Sequence, residues 1–149
     1  MKKVCCFAGH SDIYYTDEHY KSLSEKIENL IINENVTEFR VGNYGAFDRL
    51  CARAVRELKK KYTYINLILV IPYITSEIIK NKEYYENSYD TILVAEIPEN
   101  TPQKLKIIKC NEFIVNTSDY LIYYINNHCT GADRTLEYAK KKELKTISI

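Results

Sequence analysis

The sequence predicts an α/β fold, and three of its features support this expectation. Short runs of β-branched and aromatic residues alternate with longer helical patterns, as they do in folds built from βαβ units. The strand-like runs are apolar nearly throughout, which is typical of strands with helices on both faces. All four glycines lie in loops that follow such runs. We therefore expect a Rossmann-like three-layer sandwich with a mostly parallel central sheet of about five strands, in one domain over residues 1–149.

The first half of the chain contains the clearest strands and helices. Its predicted elements are a strand at 3–8, a helix at 17–35, a strand at 38–41, a helix that begins near 47 and a strand at 65–71. Thr16 has a side chain of the kind preferred at the N-cap of a helix. The run at 65–71 is the most hydrophobic in the chain, and this predicts a central position in the sheet.

The second half is harder to interpret between residues 73 and 102. We expect a short helix around 76–84 and a short strand at 91–95, in a segment long enough to act as a lid or a subunit contact. The remaining predicted elements are a helix at 102–116, a strand at 119–125, a helix at 132–143 and a strand at 146–149.

Charge and hydropathy limit the expected partners. The formal charge is +1, from 21 basic and 20 acidic side chains. Binding to long nucleic acids depends on basic groups that neutralise phosphates, so no long nucleic acid is expected as a partner. No apolar run approaches the roughly 20 residues that span a bilayer, so no membrane partner is expected either. The apolar start of the chain stops at Gly9 without a small-residue cleavage site, which predicts a cytoplasmic protein.

The cysteines and the missing motifs argue against several classes of site. The five cysteines are scattered, odd in number and without a CxxC pair, so we expect neither a disulfide framework nor a metal site. Cys5, Cys6 and Cys51 are interpreted as small buried side chains. There is no GxGxxG after the first strand and no GxxxxGK[ST], which disfavours dinucleotide dehydrogenases and P-loop enzymes. No cofactor is predicted.

The candidate site lies in three loops that follow strands. Loops at the carboxyl ends of parallel strands meet at one edge of the sheet, where ligands of such folds bind. Glycine lets backbone N–H groups approach a ligand, and a helix N-terminus behind the loop favours phosphate. The alternative is that these glycines only turn corners. The candidate ligand-binding residues are Gly9, His10, Ser11, Gly42, Asn43, Gly45, Asp48, Asn111, Thr130, Gly131, Ala132 and Asp133.

Several polar residues have both a functional and a structural interpretation. His10 either contacts phosphate or transfers a proton, or it has no role in the site. Asp48 either interacts with a helix dipole or accepts hydrogen bonds from a ribose diol. Asn111 lies in an apolar helical stretch, where its amide must find a partner. His128 and Cys129 are adjacent, so their side chains diverge, and nucleophilic catalysis by this pair is disfavoured.

Five segments, at residues 6–10, 41–48, 109–112, 117–122 and 130–132, resemble in order the motifs of the YpsA-like family of the SLOG superfamily. This superfamily also contains the Lonely Guy phosphoribohydrolases and the DprA core. Residues 6–10, CFAGH, resemble the family's opening C-F-x-G-H-R, and 41–48, VGNYGAFD, resemble its glycine-rich second motif. Residues 109–112, 117–122 and 130–132 match its later motifs in order. The resemblance covers essentially the whole chain. It implies a single SLOG-type Rossmann-like domain that binds a nucleotide-related ligand.

The chain departs from that family at three positions. Ser11 and Cys110 stand where the family has arginine, and Thr130 replaces a glycine. In the Lonely Guy enzymes an arginine and a glutamate carry hydrolysis of the N-glycosidic bond. Glu137 matches that glutamate and is the one candidate catalytic residue, but its arginine partner is missing. A neutral thiol cannot replace a bidentate guanidinium, so this resemblance disfavours a hydrolase.

Three functions remain as hypotheses from the sequence. The first is the binding or sensing of a nucleotide-derived small molecule, either a nucleoside phosphate or an ADP-ribose-like ligand. The second is a nucleoside 5′-monophosphate phosphoribohydrolase that uses Glu137. The third is a protein-interaction module with a vestigial pocket. In that module Tyr84, Tyr85 and Tyr89 would contact a partner or form a homo-oligomer, since tyrosine is enriched at interfaces.

Overall fold

The computed structural model describes residues 2–126 and 130–149. Six strands form one sheet in which every neighbouring pair is parallel, in the order β4-β3-β2-β1-β5-β6. The strands are β1 Lys3–Ala8, β2 Val36–Val41, β3 Asn66–Ile71, β4 Thr91–Val94, β5 Tyr120–Tyr123 and β6 Lys145–Ser148. The predicted α/β, Rossmann-like fold is confirmed. The sheet has six strands instead of about five, because the short runs at both edges pair fully with their neighbours.

Helices cover the two faces of this sheet. They are α1 Asp17–Glu34, α2 Ala46–Lys59, α3 Ser76–Lys80, α4 Lys82–Ser88, α5 Lys106–Asn116 and α6 Gly131–Lys141. A 3₁₀ turn at Gln103–Leu105 precedes α5. The helix predicted at 76–84 is in fact two short helices, separated at Asn81. Within the described residues, no helix has both the length and the apolar character needed to cross a membrane.

The strand β3 shows why hydrophobicity did not predict position in the sheet. Leu67, Leu69 and Ile71 of β3 pack in the core that includes α1 and α2, whereas Ile68 and Val70 pack in the core that includes α5 and α6. Both faces of β3 are therefore covered, and its sequence is apolar throughout. The prediction of a central position is wrong, because β3 lies next to the edge strand β4 and the centre is occupied by β1 and β2.

Side-chain caps fix where helices and strands begin. The Thr16 hydroxyl accepts a hydrogen bond from the His19 N–H, and the His19 ring accepts one from the Thr16 N–H at 2.9 Å. This capping box confirms Thr16 as the N-cap of α1. Asp119 pairs in a similar way with the start of β1, since its carboxylate accepts from the Val4 N–H and its own N–H donates to the Val4 carbonyl. These bonds help to fix the register of β5 against β1.

The cysteines that the structure describes are core residues. Cys5, Cys6, Cys51 and Cys110 are buried free thiols, which confirms the interpretation of the first three as small buried side chains. His128 and Cys129, the pair weighed for nucleophilic catalysis, lie outside the described residues.

Candidate functional site

A cavity of about 420 Å³, here called the edge cavity, lies at the carboxyl end of β1. It is enclosed by the loop after β1, the loop after β2 and the first turns of α5 and α6. Eight of the twelve predicted ligand-binding residues line it, which are Gly9, His10, Ser11, Asp48, Asn111, Thr130, Gly131 and Ala132. The others, Gly42, Asn43, Gly45 and Asp133, do not line it. Among its remaining lining residues, Tyr44, Ile107 and Thr135 were missed by the sequence prediction.

Gly9 is required by packing against α2. A Cβ atom at this position would lie only 2.2 Å from Cγ of Phe47, which is far shorter than a non-bonded contact. The Phe47 ring is buried and also packs against the Tyr15 ring, with the two rings tilted by 46°. The glycine therefore lets the loop after β1 approach α2 closely, and this close approach by itself explains the residue.

Gly45 is also structural, for two reasons. Its φ of +124° is a conformation that residues with a side chain rarely adopt. A Cβ there would lie 2.3 Å from Ser11. The first N–H groups of α2 donate to the loop after β1, Ala46 to the Ser11 carbonyl at 2.9 Å and Phe47 to the His10 carbonyl at 3.3 Å. This helix N-terminus already has its acceptors and is not free to bind a phosphate.

Asp48 closes the loop after β2. Its Oδ2 accepts a hydrogen bond from the Tyr44 N–H at 2.9 Å. Burial raises the pKa of Asp48 above its usual value, and the backbone N–H groups of Tyr44 and Gly42 oppose the rise. Asn43 points to the middle segment instead, where its amide donates to the Tyr85 hydroxyl at 3.3 Å. Gly42, Asn43 and Asp48 therefore hold their own loop in place.

His10 is buried and serves to link two loops. Its Nε2 accepts a hydrogen bond from the Asn126 N–H at 3.0 Å, so the ring proton must reside on Nδ1 in this arrangement. The Tyr15 hydroxyl accepts from the His10 N–H at 2.8 Å and donates to the His10 carbonyl at 3.0 Å. These bonds support the structural interpretation of His10, because Nε2 is already occupied.

Gly131 differs from the other three glycines. A Cβ added to it would meet no atom of residues 2–126 or 130–149 within 4 Å, so packing against these residues does not require a glycine there. It is the first residue of α6, and Thr130 caps the helix by accepting from the Asp133 N–H at 3.3 Å. The Gly131 and Ala132 N–H groups belong to the first turn, which has no intrahelical acceptors. The missing side chain keeps the edge cavity open beside these donors.

A second depression of about 300 Å³, here called the α5–α6 groove, continues from the edge cavity. Ile107, Asn111, Gly131 and Thr135 line both spaces. Beyond them the groove walls are formed by Ile108, Glu112, Arg134, Glu137, Tyr138 and Lys141. The sequence contains one signal of this groove that did not enter the predicted site. Ile107 and Ile108 are adjacent in a helix and cannot both face the core, and Ile107 is 43% exposed.

Glu137 lies on the α5–α6 groove and not in the edge cavity. Its carboxylate is exposed and lies 3.7 Å from the Lys140 ammonium. Cys110, at the position of the family's arginine, is 1% exposed and packs in the core. Burial, helped by the nearby Asp48 charge, raises the pKa of the Cys110 thiol to about 12. Cys110 is therefore a buried, uncharged side chain. It cannot serve as the arginine that acts together with the glutamate in the Lonely Guy enzymes.

Two solved structures share this fold. DNA processing protein A (DprA) from Streptococcus pneumoniae matches 99% of this chain and 50% of its own, with 17% identity and a TM-score of 0.69. DprA from Helicobacter pylori matches 98% of this chain and 64% of its own, with 15% identity and a TM-score of 0.68. The chain thus spans between half and two thirds of the length of these proteins, and it has their Rossmann-like fold. No family model matches the chain, and no curated protein matches its sequence.

The comparison corrects the prediction about partners. The H. pylori protein is described for its single-stranded DNA binding mode, so this fold is carried by a protein that binds nucleic acid. The expectation of a nucleotide-derived small molecule as partner, with long nucleic acid excluded, is therefore wrong. A net charge near zero does not exclude such a partner, because it averages over the whole surface, whereas a single strand contacts a limited groove and stacks on aromatic side chains that carry no charge.

Proposed function

We propose that this chain binds single-stranded DNA, with the strand entering the edge cavity and continuing along the α5–α6 groove. The observation that carries this proposal is the continuity of the two spaces, which share four lining residues. A long, open path suits a polymer better than a compact ligand. The shared fold with the H. pylori protein supports the same choice of ligand.

The first turn of α6 offers the contacts for a phosphate group. Gly131 leaves open space beside the helix N-terminus, where backbone N–H groups and the helix dipole favour an anion. Arg134 and Lys141 line the adjoining groove, and neither forms an ion pair with any carboxylate of residues 2–126 and 130–149. Both cations are therefore available for the next phosphates along the strand.

The walls of the path are suited to unpaired bases. Tyr44 lines the edge cavity and is 36% exposed, and burial raises the pKa of its hydroxyl to about 12, so the ring is uncharged near neutral pH. Ile107, Ile108 and Tyr138 line the groove. Bases stack on the aromatic rings of Tyr44 and Tyr138 with little sequence preference, and the isoleucines add apolar contact area. A duplex keeps its bases stacked inside, so we expect it to bind more weakly.

The finer assignment to the SLOG superfamily, and to its YpsA-like branch, is part of this proposal. It rests on the order of the motifs at 6–10, 41–48, 109–112, 117–122 and 130–132. The geometry supports it at two points, since Gly9 and Gly131 of the first and last motifs both border the edge cavity.

A cytoplasmic location is also part of this proposal. It agrees with the four buried free thiols of the described residues.

Fluorescence anisotropy tests the proposed function. A fluorescein-labelled oligodeoxythymidylate of about 15 nucleotides is titrated with the protein between about 50 and 200 mM salt. We expect saturable binding that weakens with salt and is weaker for a duplex of equal length. Arg134→Gln with Lys141→Gln should lower the affinity, whereas Lys2→Gln with Lys145→Gln, at the amino ends of strands on the opposite edge, should not. No binding, or equal binding of the duplex, would contradict the proposal.

A further inference from the structure

We infer that the face formed by the loop after β1 and helix α2 is a second contact site for the same DNA strand, with Tyr14 as a stacking platform and Arg49 and Arg53 as phosphate contacts. This inference rests on the proposed function and extends it, because the edge cavity and the α5–α6 groove include none of these three residues.

The site is an open hollow of about 350 Å³ beside the edge cavity, here called the arginine hollow. It is lined by Ile13, Tyr14, Tyr15, Ala46, Arg49, Leu50 and Arg53. None of these seven lining residues is acidic, and two of them are arginines four positions apart on α2. Residues four apart lie on the same side of a helix, so both guanidinium groups border one space.

The two arginines form no close ion pair among the described residues, although the Arg49 charge acts on the Asp48 carboxylate beside it. Both side chains are exposed, and neither forms an ion pair with any carboxylate in the described part of the chain. Arg53 lies over the ring of Tyr20, with its guanidinium carbon 4.2 Å from the ring centroid. This stacking orients the guanidinium and leaves its outer N–H groups free to bind phosphate oxygens.

Tyr14 is exposed to an unusual degree for a large aromatic residue. Its exposed fraction is 86%, the highest among the exposed large hydrophobic side chains of the described residues. An aromatic ring in solvent beside two unpaired cations matches the chemistry of a single strand, because bases stack on the ring while phosphates contact the guanidinium groups. A protein partner would need an acidic surface to match the two arginines. Nucleic acid also fits the neighbouring edge cavity, where the proposed function already places it.

The chain itself connects this hollow to the edge cavity. Ser11 and Asp12 line the edge cavity, and the next two residues, Ile13 and Tyr14, line the arginine hollow. Consecutive residues of one short loop therefore line both spaces. A strand that leaves the edge cavity along this loop can contact Tyr14 and the two arginines of the same hollow.

The salt dependence of binding tests this inference. Each phosphate contact on single-stranded DNA contributes about 0.7 to the slope of log affinity against log salt, so Arg49→Gln with Arg53→Gln should reduce the slope by about 1.4. Tyr14→Ala should lower affinity by about fivefold or more without a change in slope. Lys2→Gln with Lys145→Gln is the control of equal charge. Arg49→Gln alone, expected to reduce the slope by about 0.7, keeps the test valid if loss of the Arg53–Tyr20 contact impairs folding.

The possible outcomes separate the two proposals. If the wild type binds the labelled oligonucleotide but the slope of the arginine variants equals that of the control, the second contact site is wrong and the proposed function stands. If the wild type does not bind, both are wrong. If light scattering shows that the wild type self-associates and Tyr14→Ala abolishes this, Tyr14 is a contact between copies of the chain and the inference is overturned.

Discussion

His10 Nε2 and the backbone N–H of Asn126 form a hydrogen bond of 3.0 Å that joins the loop after β1 to the loop after β5. These two strands are parallel neighbours in the sheet. The bond therefore holds one wall of the edge cavity at a fixed distance from the chain that leads towards α6. It also defines the tautomer of the ring, because an N–H donor requires an unprotonated Nε2.

Replacement of His10 should lower the free energy of unfolding of the whole protein, in addition to any effect on ligand binding in the edge cavity. In His10→Ala the Asn126 N–H loses its acceptor and a buried ring is removed, so the free energy of unfolding should fall by about 1–3 kcal/mol from the lost acceptor alone. His10→Gln offers an oxygen near the position of Nε2 and should recover part of this loss. Urea denaturation measures both variants. Equal stability of His10→Ala and the wild type would contradict the linking role.

Gly9 and Gly131 should respond in opposite ways to the same substitution. Gly9→Ala places a methyl group 2.2 Å from Phe47 Cγ, and overpacking of this kind costs about 1–3 kcal/mol. Gly131→Ala meets open space and should leave the protein as stable or up to about 1 kcal/mol more stable. The same methyl group narrows the edge cavity, so affinity for the labelled oligonucleotide should fall. Thermal melts measure the stability of both variants, and anisotropy measures the DNA affinity of Gly131→Ala. If Gly131→Ala binds DNA as tightly as the wild type, the predicted role of the open space beside Gly131 is contradicted.

Asp48 gives stability a pH dependence of defined sign. Burial raises the pKa of this carboxyl above the usual value of 3.8, so the folded chain keeps the proton to higher pH than the unfolded chain. As the pH rises from that usual value through the folded-state pKa, the unfolded chain binds fewer protons, and the free energy of unfolding must fall. Asp48→Asn keeps an oxygen for the Tyr44 N–H but cannot ionise. The stability of the wild type relative to Asp48→Asn should therefore decrease over this interval, and a relative increase would contradict the assignment.

The buried thiols should be unreactive while the protein is folded. Burial raises the pKa of Cys6 to about 12, and it raises that of Cys110 to the same value with a contribution from Asp48. The pKa values of Cys5 and Cys51 are also well above normal because of burial. The thiolate is the reactive form, so iodoacetamide should label these four far more slowly than in the unfolded chain. Peptide mass mapping identifies the labelled sites, and labelling at the unfolded rate would contradict their burial.

Strands and helix starts were predictable because their signals are local. The capping residue Thr16 and the apolar run of β3 depend on neighbours in sequence, and the sequence identified both. The place of β3 in the sheet was not predictable, because an apolar strand only indicates that both of its faces are covered. Which strand pairs on each side is decided by the whole chain.

The candidate site was only partly predictable, because its residues have the same local appearance but different surroundings. Gly9 and Gly131 both follow a strand-like run and look alike in the sequence. Only the three-dimensional structure shows that Phe47 fills the space beside Gly9, whereas the space beside Gly131 is open. The α5–α6 groove is likewise formed between two helices that are separate in sequence, and single-residue patterns do not report its depth.

The backbone amide signals of Gly131 and Ala132 provide the most direct test of DNA binding at this edge. In a two-dimensional ¹H–¹⁵N spectrum, addition of the oligodeoxythymidylate should shift these two signals more than those of Val4 and Lys145, near the amino ends of β1 and β6, whose N–H groups donate to Asp119. If the Gly131 and Ala132 signals do not move while the oligonucleotide shifts those of residues at the amino ends of the strands, or shifts none, DNA does not bind at this edge of the sheet.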